Sequence, residues 1–473
     1  MSSPAGVTAG AAGDQVEWLR RWCAPWAWRL RKSRLAQSIG ALYLLRCAGY
    51  VAPLVTLPWL ARVLGPSGLG LLAFVQGVGA CVTLVVEYGF SFSATQQVSV
   101  HRHCPERLSE VMAGVQGAKV ALALICGMGV AAALPWLKPL EGHASLLAAG
   151  VFAAAGQAFT MTWYFLGVER MVAQSVIEAS LRLAAACGVL LLVRSPQDGW
   201  KVFALQGVAA WMAVVAGCVV AHRRVPFRLP TYSLVRDALQ AGRSALFFRV
   251  AETSYTSCNS LLLGFLCPPG TVGIYAGAEK IARAVLATLL DPVQRAVYPG
   301  VARALAESPG RAACLVRHSA LATGIGATAI CGILFAAGPR AVRTLLGPGY
   351  EGAVLPLRIL LLAPVAVSLK WALGLNWMVP AGLGKTFNRI IAASALFHLA
   401  MTLLLAPRWS AAGMAMAVAL TEAAIPTCVY AVLRRRGMDP LRKIHADNKT
   451  QEFFDDSERK VHRHGRGWHA VSD

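Results

Sequence analysis

RCAGYVAPLVTLPWLARVLGPSGLGLLAFVQGVGACVTLVVEYGFSFSATQQVSVHR, Arg46 to Arg102, contains two apolar runs separated by a Gly/Pro turn. The first run ends at Leu64, GPSGLG makes the turn, and the second run begins near Leu71. Each has the roughly twenty residues needed to cross a hydrocarbon core of about 30 Å. In water so apolar a pair would aggregate, whereas in lipid a helix satisfies its own backbone donors and acceptors. The stretch therefore predicts a transmembrane hairpin.

Composition extends that reading to the whole chain. Of 473 residues, 56% are apolar and 14% charged, and the mean hydropathy is +0.54. Soluble domains carry about a quarter charged residues. The fold class expected is an all-α polytopic membrane protein. A net charge of +22 does not imply nucleic acid, because the basic residues sit between the apolar runs and at the two ends. That is where cytoplasmic loops meet anionic lipid. The twelve cysteines are scattered, many of them inside apolar runs, with no CxxC pair. Neither a zinc site nor a disulfide framework is expected, and no cofactor.

Apolar runs punctuated by Gly, Pro and charge predict spans near 39–63, 70–93, 111–136, 144–166, 172–193 and 200–221. A second set follows near 244–266, 272–300, 313–337, 354–379, 388–406 and 411–433. The chain then divides into five regions. An N-terminal arm (1–36) interleaves Trp18, Trp22, Trp26 and Trp28 with arginines in a mixture suited to the headgroup layer. No signal peptide is expected in it, since no apolar core follows a basic start. A first six-helix half (37–221), a basic linker (222–243), a second six-helix half (244–435) and a polar tail (436–473) with His462, His464 and His469 complete the chain. Lys and Arg concentrate in alternate loops (Arg102 and Arg107, Arg170, Arg223 and Arg224, Arg303 and Arg311, Lys385 and Arg389, Arg434 to Arg436). That bias predicts both termini in the cytoplasm.

The two halves share a spacing. Arg46 precedes Gly70 by the interval that separates Arg249 from Gly273, and both stretches read as an apolar helix closed by a Pro-containing turn. Because six is even, both halves share one orientation. A pseudo-twofold axis along the membrane normal and a central cavity between the halves are expected.

LPWLARVLGPSGLGLLAFVQ followed by EYGFSFSATQQVSVHR resembles the opening signature of the Wzx-type oligosaccharide flippases. These are also called polysaccharide biosynthesis or O-antigen transport proteins, and belong to the multidrug/oligosaccharidyl-lipid/polysaccharide exporter superfamily. WYFLGVERM (Trp163 to Met171), VGIYAGAEKIARAV (Val272 to Val285) with YPGVAR (Tyr298 to Arg303), and GPGYEGAVLPLRIL (Gly347 to Leu360) resemble its later helices. The resemblance implies a flippase working by alternating access for cell-surface polysaccharide biosynthesis. Its substrate would be a polyprenyl-diphosphate-linked oligosaccharide, moved from the cytoplasmic to the outer leaflet of the cell (inner) membrane. Membrane lipids and glycan polymerase machinery are the partners it implies. The alternative is an ion-coupled small-molecule antiporter of the same superfamily; one for organic cations calls for an acidic cavity, whereas the intramembrane charges here include several Arg and Lys. No enzyme is expected, because short loops leave no catalytic domain and no DxD, HExxH or phosphate loop stands in a suitable context.

Ionisable groups at membrane depth cost about 2.5 to 3.5 kcal/mol each on insertion scales, so they mark cavities or pair with one another. Arg46 and Arg249 occupy matching places, and a guanidinium grips phosphate oxygens bidentately; each also lies near enough to the boundary to snorkel to headgroups. On the eighth span the i, i+4 spacing pairs Glu279 with Arg283 and leaves Lys280 without a helical partner, free for phosphate or for an ion pair with Glu252 or Glu279. Lys119, Arg182 with Glu178 one turn before it, and Lys370 are further candidates. Glu87 is either a coupling-ion site or an Arg-paired carboxylate, and Glu422 is read the same way. Tyr43, Tyr50, Trp163, Tyr164, Tyr275, Trp371 and Trp377 are candidates for a sugar-stacking wall or ordinary packing residues.

Overall fold

Glycine and proline decide where the apolar runs break. The computed structural model describes residues 34–286 and 290–441. The Trp/Arg segment before Arg34 and the His-bearing tail therefore lie outside the described residues. Among those described there is helix and no strand. Seven helical stretches are long and apolar enough to cross a membrane.

Helix α1 (Arg34–Glu87) is interrupted at Gly65, which has φ +67° and ψ 179°. Only glycine adopts such a φ without strain, and Pro66 next to it starts the following segment, where its missing N–H costs nothing. The run breaks again at Tyr88 and Gly89, both at positive φ, before α2 (Phe90–Val100). Such breaks are required: the stretch Ala52–Val100 has 49 residues, about 70 Å at 1.5 Å per residue, more than twice the core of a bilayer. Then come α3 (Pro105–Ala133), α4 (Ala144–Phe159), α5 (Thr162–Gly167), α6 (Met171–Leu192) and α7 (Gly199–His222).

The second half of the chain holds α8 (Tyr232–Thr256), α9 (Asn259–Leu266), α10 (Pro269–Val285), α11 (Asp291–Glu307), α12 (Pro309–Ala336), α13 (Gly338–Leu345), α14 (Val354–Leu360) and α15 (Ala363–Lys370). A π-helix, Trp371–Leu383, and α16 (Gly384–Arg435), broken at Ser410 (φ +51°), complete it. Several elements differ from the apolar pattern: the predicted spans 144–166, 244–266 and 354–379 are each divided between successive helices. The predicted span 272–300 is covered by α10 and α11, on either side of residues 287–289. Helix α8 starts at Tyr232, inside the stretch read as a linker, because polarity there argues against lipid contact and not against helix. Pro230, Leu234 and Val235 seat on Gly114 and Gly117 of α3, and Arg228 pairs with Glu110 at 2.8 Å.

The two halves of the chain meet along α1 and α10. A Cβ at Gly70 would stand 1.8 Å from the Pro269 carbonyl oxygen, and one at Gly273 would stand 1.9 Å from that of Pro66. The contact is reciprocal, each glycine receiving the other helix's proline carbonyl. Around it Leu57, Ala61, Leu69 and Ala73 share one buried cluster with Val272, Tyr275 and Ala276. In lipid, close backbone approach of this kind is the main source of helix–helix attraction. Gly70→Ala is therefore expected to cost about 1–3 kcal/mol, the usual penalty of overpacking, read as a lower melting temperature of the detergent-solubilised protein. An unchanged melting temperature would show that the two helix ends separate freely.

Candidate functional site

Two adjoining cavities lie between α1, α4, α6 and α7 on one side and α8 and α10 on the other. The first, of about 300 Å³, is lined by Thr56, Gln76, Gln157, Thr160, Glu178, Arg182, Phe203, Gln206 and Lys280 among apolar neighbours. The second, of about 360 Å³, is lined by Gln76, Gln157, Phe203, Gln206, Arg249, Thr253, Ser257, Ser260, Glu279, Lys280 and Arg283 among others. Gln76, Gln157, Phe203, Gln206 and Lys280 belong to both walls, so the two spaces adjoin at them. The three glutamines are exposed although each sits in a buried apolar stretch, which places their amides on the open space.

The charges of this wall differ in how far they are already satisfied. Glu279 accepts hydrogen bonds from Asn259 (3.1 Å), Tyr275 (3.1 Å) and Arg283 (2.8 Å), and Arg283 also donates to the Thr256 carbonyl. Arg249 donates to Glu87 at 2.8 Å, tying α8 to the end of α1; Ser91 donates to the same carboxylate. Glu178 is buried and accepts from Gln174 (2.9 Å) and Thr162 (3.1 Å), while Arg182 stays 3.7 Å away with its head in the first cavity. Lys280 forms neither an ion pair nor a hydrogen bond among the described residues, and it is the cation placed where the two cavities join.

The sequence candidates thus separate into two groups. Lys280, Arg249, Arg283 and Arg182 line the cavities. Lys119 and Lys370 do not. Lys119 is buried and donates to the Ala158 carbonyl at 2.7 Å, with its ammonium 6.0 Å from the Trp163 ring. Lys370 is buried in an ion pair with Glu422 at 2.6 Å, 5.5 Å from the Tyr255 ring. The Arg46 side chain, with those of Tyr43 and Tyr50, lies outside the described residues. Glu87 stands at the Tyr88–Gly89 break, paired with Arg249. Trp163, Tyr164, Tyr275 and Trp377 are buried in helix packing, and the aromatic ring on the cavity is Phe203.

Gln76, Gln157 and Gln206 were absent from the sequence candidates. Each adjoins a glycine that seats a neighbouring helix: Gly77 against Leu261, Gly156 against Ala210 and Trp211, Gly207 against Phe152. An amide beside a packing glycine inside an apolar span is the signal that marks them, since glycine brings the helices together and the amide then needs a polar space.

Chemically, the arrangement offers one unpaired ammonium, three guanidinium groups beside carboxylates, and a belt of amides and hydroxyls. It suits an anionic head with hydroxyl-rich substituents. The family model described as polysaccharide biosynthesis protein matches residues 35–305. A protein of Escherichia coli (strain K12), provisionally named an O-antigen transporter, is 26% identical over 406 residues, covering 85% of this chain and 97% of its own. A second of the same name from Shigella dysenteriae is 24% identical, covering 83% and 98%. Among solved structures, the lipid II flippase MurJ in an inward closed conformation has a TM-score of 0.66 at 10% identity, covering 84% of this chain and 87% of that one. An inward-facing multidrug resistance MATE family transporter of the MOP superfamily has 0.61 at 14%, covering 84% and 98%. At such identities these two likenesses concern the fold.

Proposed function

The chain belongs to the polysaccharide biosynthesis protein family, and on that premise we propose that it flips a polyprenyl-diphosphate-linked oligosaccharide from the cytoplasmic to the outer leaflet of the cell membrane, by alternating access, for cell-surface polysaccharide biosynthesis. The observation that carries the reading is Lys280, an unpaired cation where two polar cavities meet between the halves of the chain. An unpaired ammonium at membrane depth is costly and has to be offset by an anion that arrives. A diphosphate is such an anion.

Lys280 holds the diphosphate as a point charge. Arg283 and Arg249 turn from Glu279 and Glu87 to grip its oxygens, since a fork of N–H donors fits phosphate as well as carboxylate. Arg46 joins them through the interval it shares with Arg249. The amides of Gln76, Gln157 and Gln206 meet the first sugars, and the remaining glycan extends out of the cavities, which lie at the small end of ligand pockets. Lys119 and Lys370 stand behind this wall. Drawing Arg249 from Glu87 leaves a carboxylate uncompensated, which is the role proposed for Glu87: to take the coupling cation at that moment. No bond is made or broken in such work.

Twelve crossings in two six-helix halves (37–221 and 244–435), both termini cytoplasmic and a linker at 222–243 complete the proposal. The reciprocal Gly70–Gly273 contact supports the pseudo-twofold relation. Glycan polymerase machinery is the partner expected to receive the flipped lipid. A strain lacking the gene is expected to lose its surface glycan and to hold lipid-linked oligosaccharide on the cytoplasmic leaflet, where an impermeant glycosidase added to inverted vesicles cuts it. Restoration of both by the wild-type gene supports the reading; oligosaccharide found on the outer leaflet of the deletion strain refutes it.

A further inference from the structure

Behind the cavity wall, the second half of the chain holds a buried histidine wired to that wall by two hydrogen bonds. His398, on α16, is buried, and its Nε2 lies 3.1 Å from Asn259 Oδ1. Asn259 Nδ2 donates to Glu279 at 3.1 Å, which fixes the amide so that its oxygen faces the ring. On the other side His398 Nδ1 lies 3.1 Å from the Thr421 hydroxyl, which is also 2.7 Å from the Ala417 carbonyl. Thr402 completes the surroundings, its hydroxyl 3.4 Å from Nε2.

These contacts accommodate two protonation states without moving a heavy atom. In the neutral ring Nε2–H donates to Asn259 and the Thr421 hydroxyl donates to Nδ1. When Nδ1 takes a proton from solvent, the hydroxyl turns its hydrogen to the Ala417 carbonyl and accepts from the new N–H. A hydroxyl rotor serves both states because it can donate or accept. Ionisable side chains inside membrane spans mark proton relays and transport paths. Two carboxylates stand close by: Glu279 of α10, held by Tyr275 and Arg283, and Glu422, next to Thr421 and held by Lys370 of α15. From α8 comes Tyr255, against Lys370; from α14, Arg358 is turned away onto the Phe335 ring; the π-helix brings no charged residue. Burial alone keeps an imidazole neutral, and the carboxylates favour its charged form.

We infer that His398 is a proton-binding site whose occupancy is linked to the cavity through Asn259 and Glu279. The linkage has a definite sign. An anion that draws Arg283 from Glu279 leaves that carboxylate uncompensated, which raises the proton affinity of the ring behind it. By reciprocity a proton on His398 favours the state in which Arg283 is free for the anion. The link to transport rests on the flippase reading; the proton site itself does not.

The test uses the full chain in lipid nanodiscs, with imidazole ¹⁵N resonances of His398 assigned by comparison with His398→Gln. The ring is expected to pass from the neutral to the doubly protonated form as the pH falls, with the transition displaced to lower pH in Glu279→Gln and in Thr421→Val. The second variant removes the acceptor for the charged ring and serves where His398→Gln does not fold. A ring that keeps one form throughout, or a transition unmoved by both variants, overturns the inference. In proteoliposomes carrying a fluorescent polyprenyl-diphosphate disaccharide, His398→Gln is expected to lose the response of flipping to an imposed pH gradient. A wild-type response in that variant overturns the link to transport. Should the wild-type protein move no such lipid, the flippase reading fails while the resonance titration still decides the proton site.

Discussion

Lys280→Glu is expected to abolish surface glycan export while the protein remains in the membrane at wild-type level. Lys280 is the cation at the junction of the two cavities with no ion pair among the described residues, so its charge is available to an arriving anion without first breaking a contact. A charge-assisted hydrogen bond is worth about 1.5–3 kcal/mol, and each 1.4 kcal/mol is tenfold. Lys280→Ala should therefore weaken binding of the lipid diphosphate by about 10- to 150-fold. Lys280→Glu adds repulsion and goes further, and Lys280→Arg retains the charge and much of the activity. Flipping of a fluorescent polyprenyl-diphosphate disaccharide in proteoliposomes, with export in a complemented deletion strain, measures all three. Full export by Lys280→Glu would refute the assignment of the phosphate site.

Part of this site was legible from local spacing. The i, i+4 relation paired Glu279 with Arg283 and left Lys280 between them, and the structure has that pair at 2.8 Å. The interval shared by Arg46–Gly70 and Arg249–Gly273 singled out two glycines that meet across the α1–α10 seam. Spans were legible because an apolar run of that length has few alternatives. Partnerships between distant helices were not. Glu87 and Arg249 are 162 residues apart, and Lys370 and Glu422 are 52 apart. Neither pair leaves a trace in local periodicity, so Lys370 reads from the sequence as a further cation candidate behind Lys280. The glutamines are inconspicuous in the sequence for a related reason: an amide carries no charge to flag its cost, and only the glycine beside it shows that helices close around it.

The pairing pattern also separates standing cations from conditional ones. Lys280 faces the cavity with no ion pair among the described residues, whereas Arg249 and Arg283 face carboxylates 2.8 Å away. A substrate that recruits them breaks the Arg249–Glu87 contact between α8 and α1, the Arg283–Glu279 contact within α10 and the Arg283–Thr256 contact between α10 and α8. Only the first lies between the two halves of the chain. Substrate charge is thereby connected to the interface that alternating access has to open.

That interface carries its own reporter. Cys81, on the second segment of α1, and Cys258, at the break between α8 and α9, have their sulfurs 3.7 Å apart, one from each half of the chain. A disulfide needs about 2.05 Å, a closure within reach of side-chain rotation and a small shift of two helices. Mild oxidation with copper–phenanthroline and oxygen is expected to join them: two thiol protons and two electrons leave, the oxygen is reduced, and one S–S bond forms. The cross-linked protein should lose flipping in proteoliposomes and recover it on addition of dithiothreitol, because α1 and α8 cannot part while the bond stands. Cys81→Ser and Cys258→Ser should each flip normally and ignore the oxidant, which separates this pair from the other cysteines. Mass spectrometry of the linked peptides confirms which bond formed. If the linked protein flips at its full rate, the α1–α8 interface stays closed throughout the cycle, and the opening has to be sought at the Gly70–Gly273 end instead.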